Sequence, residues 1–337
     1  MPVLQSWRRL QPQLLVIWPA TAILFIVSPF LAAGSVSASS LLSVLSFASI
    51  LAIAAIGQTL VIQQGGLDLT VPGVISLAAV FVTKFPAGDN ALLFQWAVVA
   101  IGSGMISGLI CGIAITRFQV TPLVATLAVN ALLYGMVLYI TKGTSTHEVP
   151  SLLGDFAVGR VYGIPYLAFV ALVAIVLVEI GIRSTKYGRR FVAIGANNRT
   201  ARAAGMRVVT YKVATYVFAG AIYALAGILL AGYLGIPSLL VGNTYLLPTI
   251  TVVVLGGTSL LGGAGSVAAT AVGAIFLTQL GQVTIGMGAR TSTQFIIQAL
   301  IIAFGMGLRL VPWRYLITSA GIITAPRLSS ETGDRAN

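Results

Sequence analysis

Residues 41–86 read LLSVLSFASILAIAAIGQTLVIQQGGLDLTVPGVISLAAVFVTKFP. No charge occurs between Leu41 and Ile62, and Lys84 is the only one between Val71 and Pro86. Between these runs lies GGLDLTVPG, Gly65 to Gly73, with paired glycines, an acid and a proline. A bilayer core about 30 Å thick is crossed by about 20 apolar residues in a helix. Segments 41–62 and 71–86 are therefore predicted to be membrane spans separated by a break. Gly65 and Gly66 permit an unwound backbone, and Asp68 or Thr70 can cap the next helix with Pro72 in its first turn. Irregular backbone at membrane depth is tolerated only where it is buried in protein or lines a cavity, and it is a pointer to a transport site.

The rest of the chain has the same character. Of 337 residues, 58% are hydrophobic and 8% are Asp, Glu, Lys or Arg, against roughly 25% charged in soluble domains. So few charges cannot cover a water-facing surface, and so much apolar content excludes disorder. Hydropathy runs predict spans at 14–34, 41–62, 71–86, 92–115, 121–141, 164–183, 213–235, 245–258, 267–286 and 294–311. The expectation is an all-α polytopic membrane protein of about ten transmembrane helices, the third and eighth short or broken. The first run follows Arg8 and Arg9 but is longer than a signal-peptide core and is followed by more spans, so it is taken as uncleaved.

The net charge of +12 orients the protein. With both termini inside, the cytoplasmic side holds Arg8, Arg9, Arg117, Arg183, Lys186, Arg189, Arg190, Arg199, Arg202, Arg207, Lys212, Arg309, Arg314, Arg327 and Arg335. The outside holds only Lys84, Lys142, Arg160 and Arg290, as the positive-inside rule requires. The basic balance is thus topology, and nucleic acid is not an expected partner. Residues 1–13 and 312–337 are read as cytoplasmic termini, and 14–311 as the membrane domain. Trp7, Tyr187, Tyr211 and Trp313 fall near the inner interface, and Trp96, Tyr162 and Tyr166 near the outer. Gly104, Gly108 and Gly112 make small-xxx-small pairs suited to close helix contact. Cys111, the only cysteine, is read as a small buried hydrophobe.

Residues 184–212, STKYGRRFVAIGANNRTARAAGMRVVTYK, form the longest cytoplasmic loop and contain no acid. Asn197 or Asn198 suits a helix N-cap, Arg199 to Ala204 favour helix, and Gly205 suits the C-terminal cap. The expected product is a short exposed helix with Ala201, Ala203 and Ala204 on its surface, open to close approach by a partner protein. The competing reading is a polybasic loop that binds lipid headgroups.

Three stretches carry a resemblance to the permease subunits of bacterial ATP-binding-cassette sugar importers, the ribose, xylose, galactose and autoinducer-2 group. They are GQTLVIQQGGLDLTVPGVISLAA (Gly57 to Ala79), YGRRFVAIGANNRTARAAGMRVVTYKVATYVFAGAIYALAGILLAGYLG (Tyr187 to Gly235) and VVVLGGTSLLGGAGSVAATAVGAIF (Val252 to Phe276). Pro72 stands where small or polar residues are common, and Ala264 where a basic residue is frequent. The resemblance implies a bacterial cytoplasmic (inner) membrane location, a second permease subunit, a soluble substrate-binding protein outside and two cytoplasmic ATPase subunits. The ATPase would dock on Asn197, Asn198, Arg199, Thr200, Ala201, Arg202, Ala203, Ala204, Gly205 and Met206. ATP and Mg would then be bound by that partner, with no cofactor in this chain. Consistently, GGTSLLGG lacks the lysine of a P-loop.

Several interior polar residues are candidates for the pathway. Gly65, Gly66 and Asp68 lie in the first break. GGTSLLGGAGS, Gly256 to Ser266, forms a matching second break, where Thr258 and Ser259 offer hydroxyls suited to a neutral sugar. Pro122, Thr126 and Asn130 recur at i, i+4, i+8 and share one face of span five, so Thr126 and Asn130 either line the pathway or pack helices. Glu179 and Arg183, at i, i+4, are expected to pair. His147, the only histidine, and the outer-loop charges Glu148, Asp155 and Arg160 are read as solvated. No catalytic constellation and no metal site is expected.

An ion-coupled secondary transporter is the alternative from another class. It needs intramembrane carboxylates, and this chain offers only Asp68 and Glu179. Within the leading class, nucleosides and branched amino acids are the other substrates considered.

Overall fold

The computed structural model describes residues 16–300, except 145, 146, 289, 291, 294 and 298. The N-terminal segment 1–13, the tail 312–337, most of the tenth predicted span at 294–311, Trp7 and Trp313 lie outside the described residues.

The chain is mostly helical. Five helices come first, α1 (Ile17–Leu31), α2 (Ala38–Gln63), α3 (Val71–Lys84), α4 (Asn90–Arg117) and α5 (Pro122–Thr141). A short α6 (Ser151–Val158), two-residue strands β1 (Arg160–Val161) and β2 (Ile164–Pro165), and α7 (Tyr166–Ser184) follow. Next come α8 (Lys186–Ala196), α9 (Asn198–Ala203) and α10 (Val208–Leu234). A 3-10 turn at Val241–Tyr245 leads into α11 (Leu246–Leu255), and α12 (Val267–Gly286) follows the second break. Helix starts match their local chemistry. Ser37 accepts from Ser40 N at α2, Asp89 from Ala91 N at α4 and Ser266 from Ala269 N at α12, while Pro122 opens α5.

Six helices, α2, α4, α5, α7, α10 and α12, are long and apolar enough to cross a membrane. Helices α1 and α3 and the Val241–Leu255 unit are apolar but shorter. Burial separates the centre from the rim. In the most apolar 18 residues, 67% of α2 and 61% of α10 are buried, against 11% of α7. Helices α2, α3 and α10 form the core, and α7 turns Leu172, Val173, Leu177 and Ile180 outward. Gly104 and Gly108 of α4 sit directly on the α10 backbone at Gly220 and Tyr216, where no side chain would fit. These glycines thus set the close crossing of α4 and α10. Cys111 is fully buried in the same core.

The structure adds to these expectations at three points. The all-α reading omitted the β1–β2 hairpin, paired Arg160↔Pro165 and Val161↔Ile164. Its turn residues Tyr162 and Gly163 both take positive φ, 48° and 79°, and a two-residue turn of that hand matches strand twist. The 184–212 loop contains α8 in addition to the expected short helix, and α10 begins at Val208 rather than at 213. Hydropathy could not locate α8, because it is amphipathic and basic, and Lys212 masks the helical start of α10. Trp96 does more than mark an interface, since it stacks on Phe85 at 3.9 Å between ring centroids.

Candidate functional site

Helix α8 starts where the Thr185 hydroxyl accepts from Gly188 N at 3.0 Å. After α8, Asn197 Oδ1 accepts from both Arg199 N and Thr200 N at 3.0 Å, so Asn197 caps α9. At the other end Gly205, at φ +75°, donates to the Arg202 carbonyl and Met206 N to the Ala201 carbonyl, both at 3.0 Å. That paired bonding is a Schellman closure. With its amide turned so that oxygen and nitrogen match their neighbours, Asn198 ties the small helix down, donating to the Ile194 carbonyl (2.9 Å) and accepting from Lys212 Nζ (3.0 Å). Arg199, Thr200, Arg202, Ala203, Ala204 and Gly205 are exposed. Ala201 was expected on the surface, but it is buried in a cluster with Ile194 and Val208. Only one stripe of a six-residue helix can face inward, and that cluster selects it.

Asp68 and Thr70 do not cap α3 through their side chains. Asp68 Oδ1 instead accepts from Thr70 N (2.9 Å) and the Thr70 hydroxyl (2.7 Å), a local turn that leads into α3. Asp68 is buried and so has a local partner that the sequence did not suggest. Its Oδ2 has no partner among the described residues, and neither does the Tyr216 hydroxyl. That hydroxyl packs against Gly66, where a Cβ would lie 2.5 Å from it. Gly65, at φ +72°, makes the turn out of α2.

The first break, the second break and α8 meet at Gln63 and Gln64. The Gln63 carbonyl accepts from Gly263 N at 2.8 Å. The Gln64 amide Nε2 donates to the Phe191 carbonyl of α8 at 2.7 Å. Gly195 of α8 lies against the Gln63 carbonyl, with no room for a side chain. Gly265 sits between the Gln63 amide and Thr258, and a Cβ there would lie 2.8 Å from Thr258 Oγ1. Thr258 is fully buried. Ser259 shapes the second break, its N donating to the Ala264 carbonyl at 2.8 Å and its Oγ accepting from Leu261 N at 3.3 Å.

Thr126 and Asn130 lie away from this junction. Thr126 is buried, with its hydroxyl on the Pro122 carbonyl at 2.8 Å. Asn130 Oδ1 accepts from Gly73 N at 2.9 Å and so holds the first turn of α3 against α5. One turn on, the Tyr134 hydroxyl bonds Asn243 in the 3-10 turn. Glu179 pairs with Arg183 at 2.5 Å, as its spacing suggested. It also accepts from Val267 N (3.0 Å) and the Ser266 hydroxyl (3.3 Å), which places a carboxylate at the N-terminus of α12.

Gln63, Gln64 and the second role of Glu179 were missed by the sequence reading. One signal for the glutamines was present. Two consecutive amides end a charge-free helix, and amides buried beside apolar neighbours need partners. No group of three or more His, Cys, Asp or Glu gathers among the described residues.

A family model described as the branched-chain amino acid transport system permease component matches residues 40–305. The chain belongs to this permease family. It is a transmembrane permease component of an ABC importer, a transport subunit rather than an ATPase, and a multi-pass membrane protein. The permease is 30% identical to the ribose import permease protein of Escherichia coli K12 over 88% of its own chain and 92% of that relative. It is 32% identical to the ribose import permease protein of Bacillus subtilis 168, over 78% of its chain and 82% of the relative. It is also 31% identical to an autoinducer 2 import system permease protein of Yersinia pseudotuberculosis, over 79% and 77%. No solved structure matches the permease.

Proposed function

We propose that this permease admits a sugar or similarly small polar solute, driven by a separate ATPase that docks on α9 and its flanks, Asn197 to Met206. The observation that carries the proposal is the bonded path from this loop to the interior. Helix α9 is capped at both ends, leans on α8 through Asn198, and α8 is bonded to the first break by Gln64. The Gln63–Gly263 bond extends that path to the second break. A push on α9 is thereby delivered to Gly65, Gly66 and Asp68 on one side and to Thr258 and Ser259 on the other. These residues, with Thr126 and Asn130, are the proposed pathway set. The sugar class follows from the import permeases that the chain is similar to.

The same proposal includes ten spans with both termini cytoplasmic, residues 14–311 as the membrane domain and the bacterial inner membrane as location. A second permease copy or homologue completes the pathway, a soluble protein delivers the solute, and the partner ATPase binds ATP and Mg. Uptake of radiolabelled ribose by cells expressing the intact system tests the energy source. ATP depletion is expected to abolish uptake and a proton ionophore acting at constant ATP to leave it. The reverse pattern would favour an ion-coupled transporter. The family description names a branched-chain amino acid system, so competition by unlabelled leucine or a nucleoside against ribose separates the substrate classes.

A further inference from the structure

An apolar groove of about 620 Å³ runs between α7 and α10, within the roughly 300–1,000 Å³ span of small-molecule sites. Leu177 and Ile182 of α7 face Phe218 and Ile222 of α10 across it, and Phe191 of α8 closes one end. Its α7 wall belongs to the outward rim, where Leu177 is 65% exposed. A second, more polar cavity of about 700 Å³ adjoins it. Tyr187, Tyr211 and Ala214 line both and form their common border. The second cavity adds Arg190, Arg207 and Thr210 and reaches Gly205 and Met206 at the end of α9.

The sequence of surfaces along this site is apolar, then tyrosine, then arginine. That is the profile of a bilayer leaflet from acyl chain through interface to headgroup. No acid occurs in 184–212 to neutralise Arg190 and Arg207. The nearest acid along α7, Glu179, is engaged by Arg183 and the start of α12. The corresponding loop of a second copy of this chain is equally free of acids, so loop against loop would set arginine against arginine. A soluble partner can meet the arginines but does not extend into an apolar groove between two spans. We propose that the combined site binds one anionic phospholipid, an acyl chain between α7 and α10 and its phosphate on Arg190 and Arg207. The lipid would thus lie along the α8 and α10 edges of the acid-free loop and border the proposed ATPase face at Ala204, Gly205 and Met206. The site does not depend on how transport is energised.

Native mass spectrometry of the detergent-purified chain tests this, titrated separately with dioleoylphosphatidylglycerol and dioleoylphosphatidylcholine. One retained phosphatidylglycerol per chain is expected, favoured over phosphatidylcholine by roughly thirtyfold for two basic contacts. Both arginines are exposed, so the double variant Arg190→Ala/Arg207→Ala keeps its fold and loses the preference. Arg190→Lys/Arg207→Lys retains it. Ala214→Trp, at the junction, removes the retained lipid of either kind. Equal retention of the two lipids by the wild type, or an unchanged preference in the double alanine variant, would overturn the proposal. So would a chain dimer that forms only when lipid is absent, which would assign the groove to a second copy, or an added ATPase that protects both arginines and expels the lipid.

Discussion

The Gly263 amide donates to the Gln63 carbonyl across 2.8 Å, joining two glycine-rich breaks that lie 200 residues apart in the chain. Gly263 adopts φ +78°, and a Cβ there would lie 2.7 Å from Ala196 Cα in α8. The bond therefore sits where the two breaks and the cytoplasmic loop converge.

Gly263→Ala places a side chain in the left-handed region, at a cost of about 1–2 kcal/mol, and adds an overlap with α8. The expected outcome is a lower melting temperature in detergent, together with reduced uptake at equal expression. Gly102→Ala is the control, because nothing lies near Gly102 and its φ is not in the left-handed range.

Gln64→Met keeps the volume of the buried side chain but leaves the Phe191 carbonyl without its donor. Loss of a buried partner costs about 1–3 kcal/mol. The permease is expected to bind its ATPase normally while the solute moved per ATP falls. A parallel loss of ATPase binding would mean that Gln64 stabilises the loop and transmits nothing.

Ala203→Trp and Ala204→Trp add bulk to the exposed face of α9. Both are expected to insert normally in the membrane and to lose the ATPase on gentle solubilisation. Ala201→Trp should behave differently. It overfills the cluster of Ile194 and Val208, costing about 1–3 kcal/mol, and should loosen the loop as judged by proteolysis.

Asp68→Asn retains an oxygen that can accept from Thr70 N, so the turn into α3 survives. Uptake should stay within about twofold of the wild type if Asp68 serves that turn. Abolished uptake with intact ATPase binding would instead mark Asp68 as a coupling carboxylate.

What could be read in the sequence and what could not divides along physical lines. The span at 41–62 and the break at Gly65 were legible because missing charge and paired glycines are local signals. Asn197 as a cap and Gly205 as a C-terminal closure were legible for the same reason. Helix α8 was not, since KYGRRFVAIGA sends Arg189 and Arg190 outward and Ile194 and Gly195 inward, leaving no apolar run. The inward turn of Ala201 depends on Val208, beyond the helix itself. The bonds of Gln64 to Phe191 and of Glu179 to Val267 join residues far apart in the chain. No periodicity encodes such pairs.

The central claim is that energy enters this permease through α9 from a separate ATPase. Capture of the tagged chain from native membranes, with the co-purifying proteins identified by mass spectrometry, tests it most directly. The account predicts a P-loop ATPase in about equal amount, retained by the wild type and lost from Ala203→Trp. Intact permease captured without any such ATPase, or an ATPase held equally well by Ala203→Trp, would contradict it.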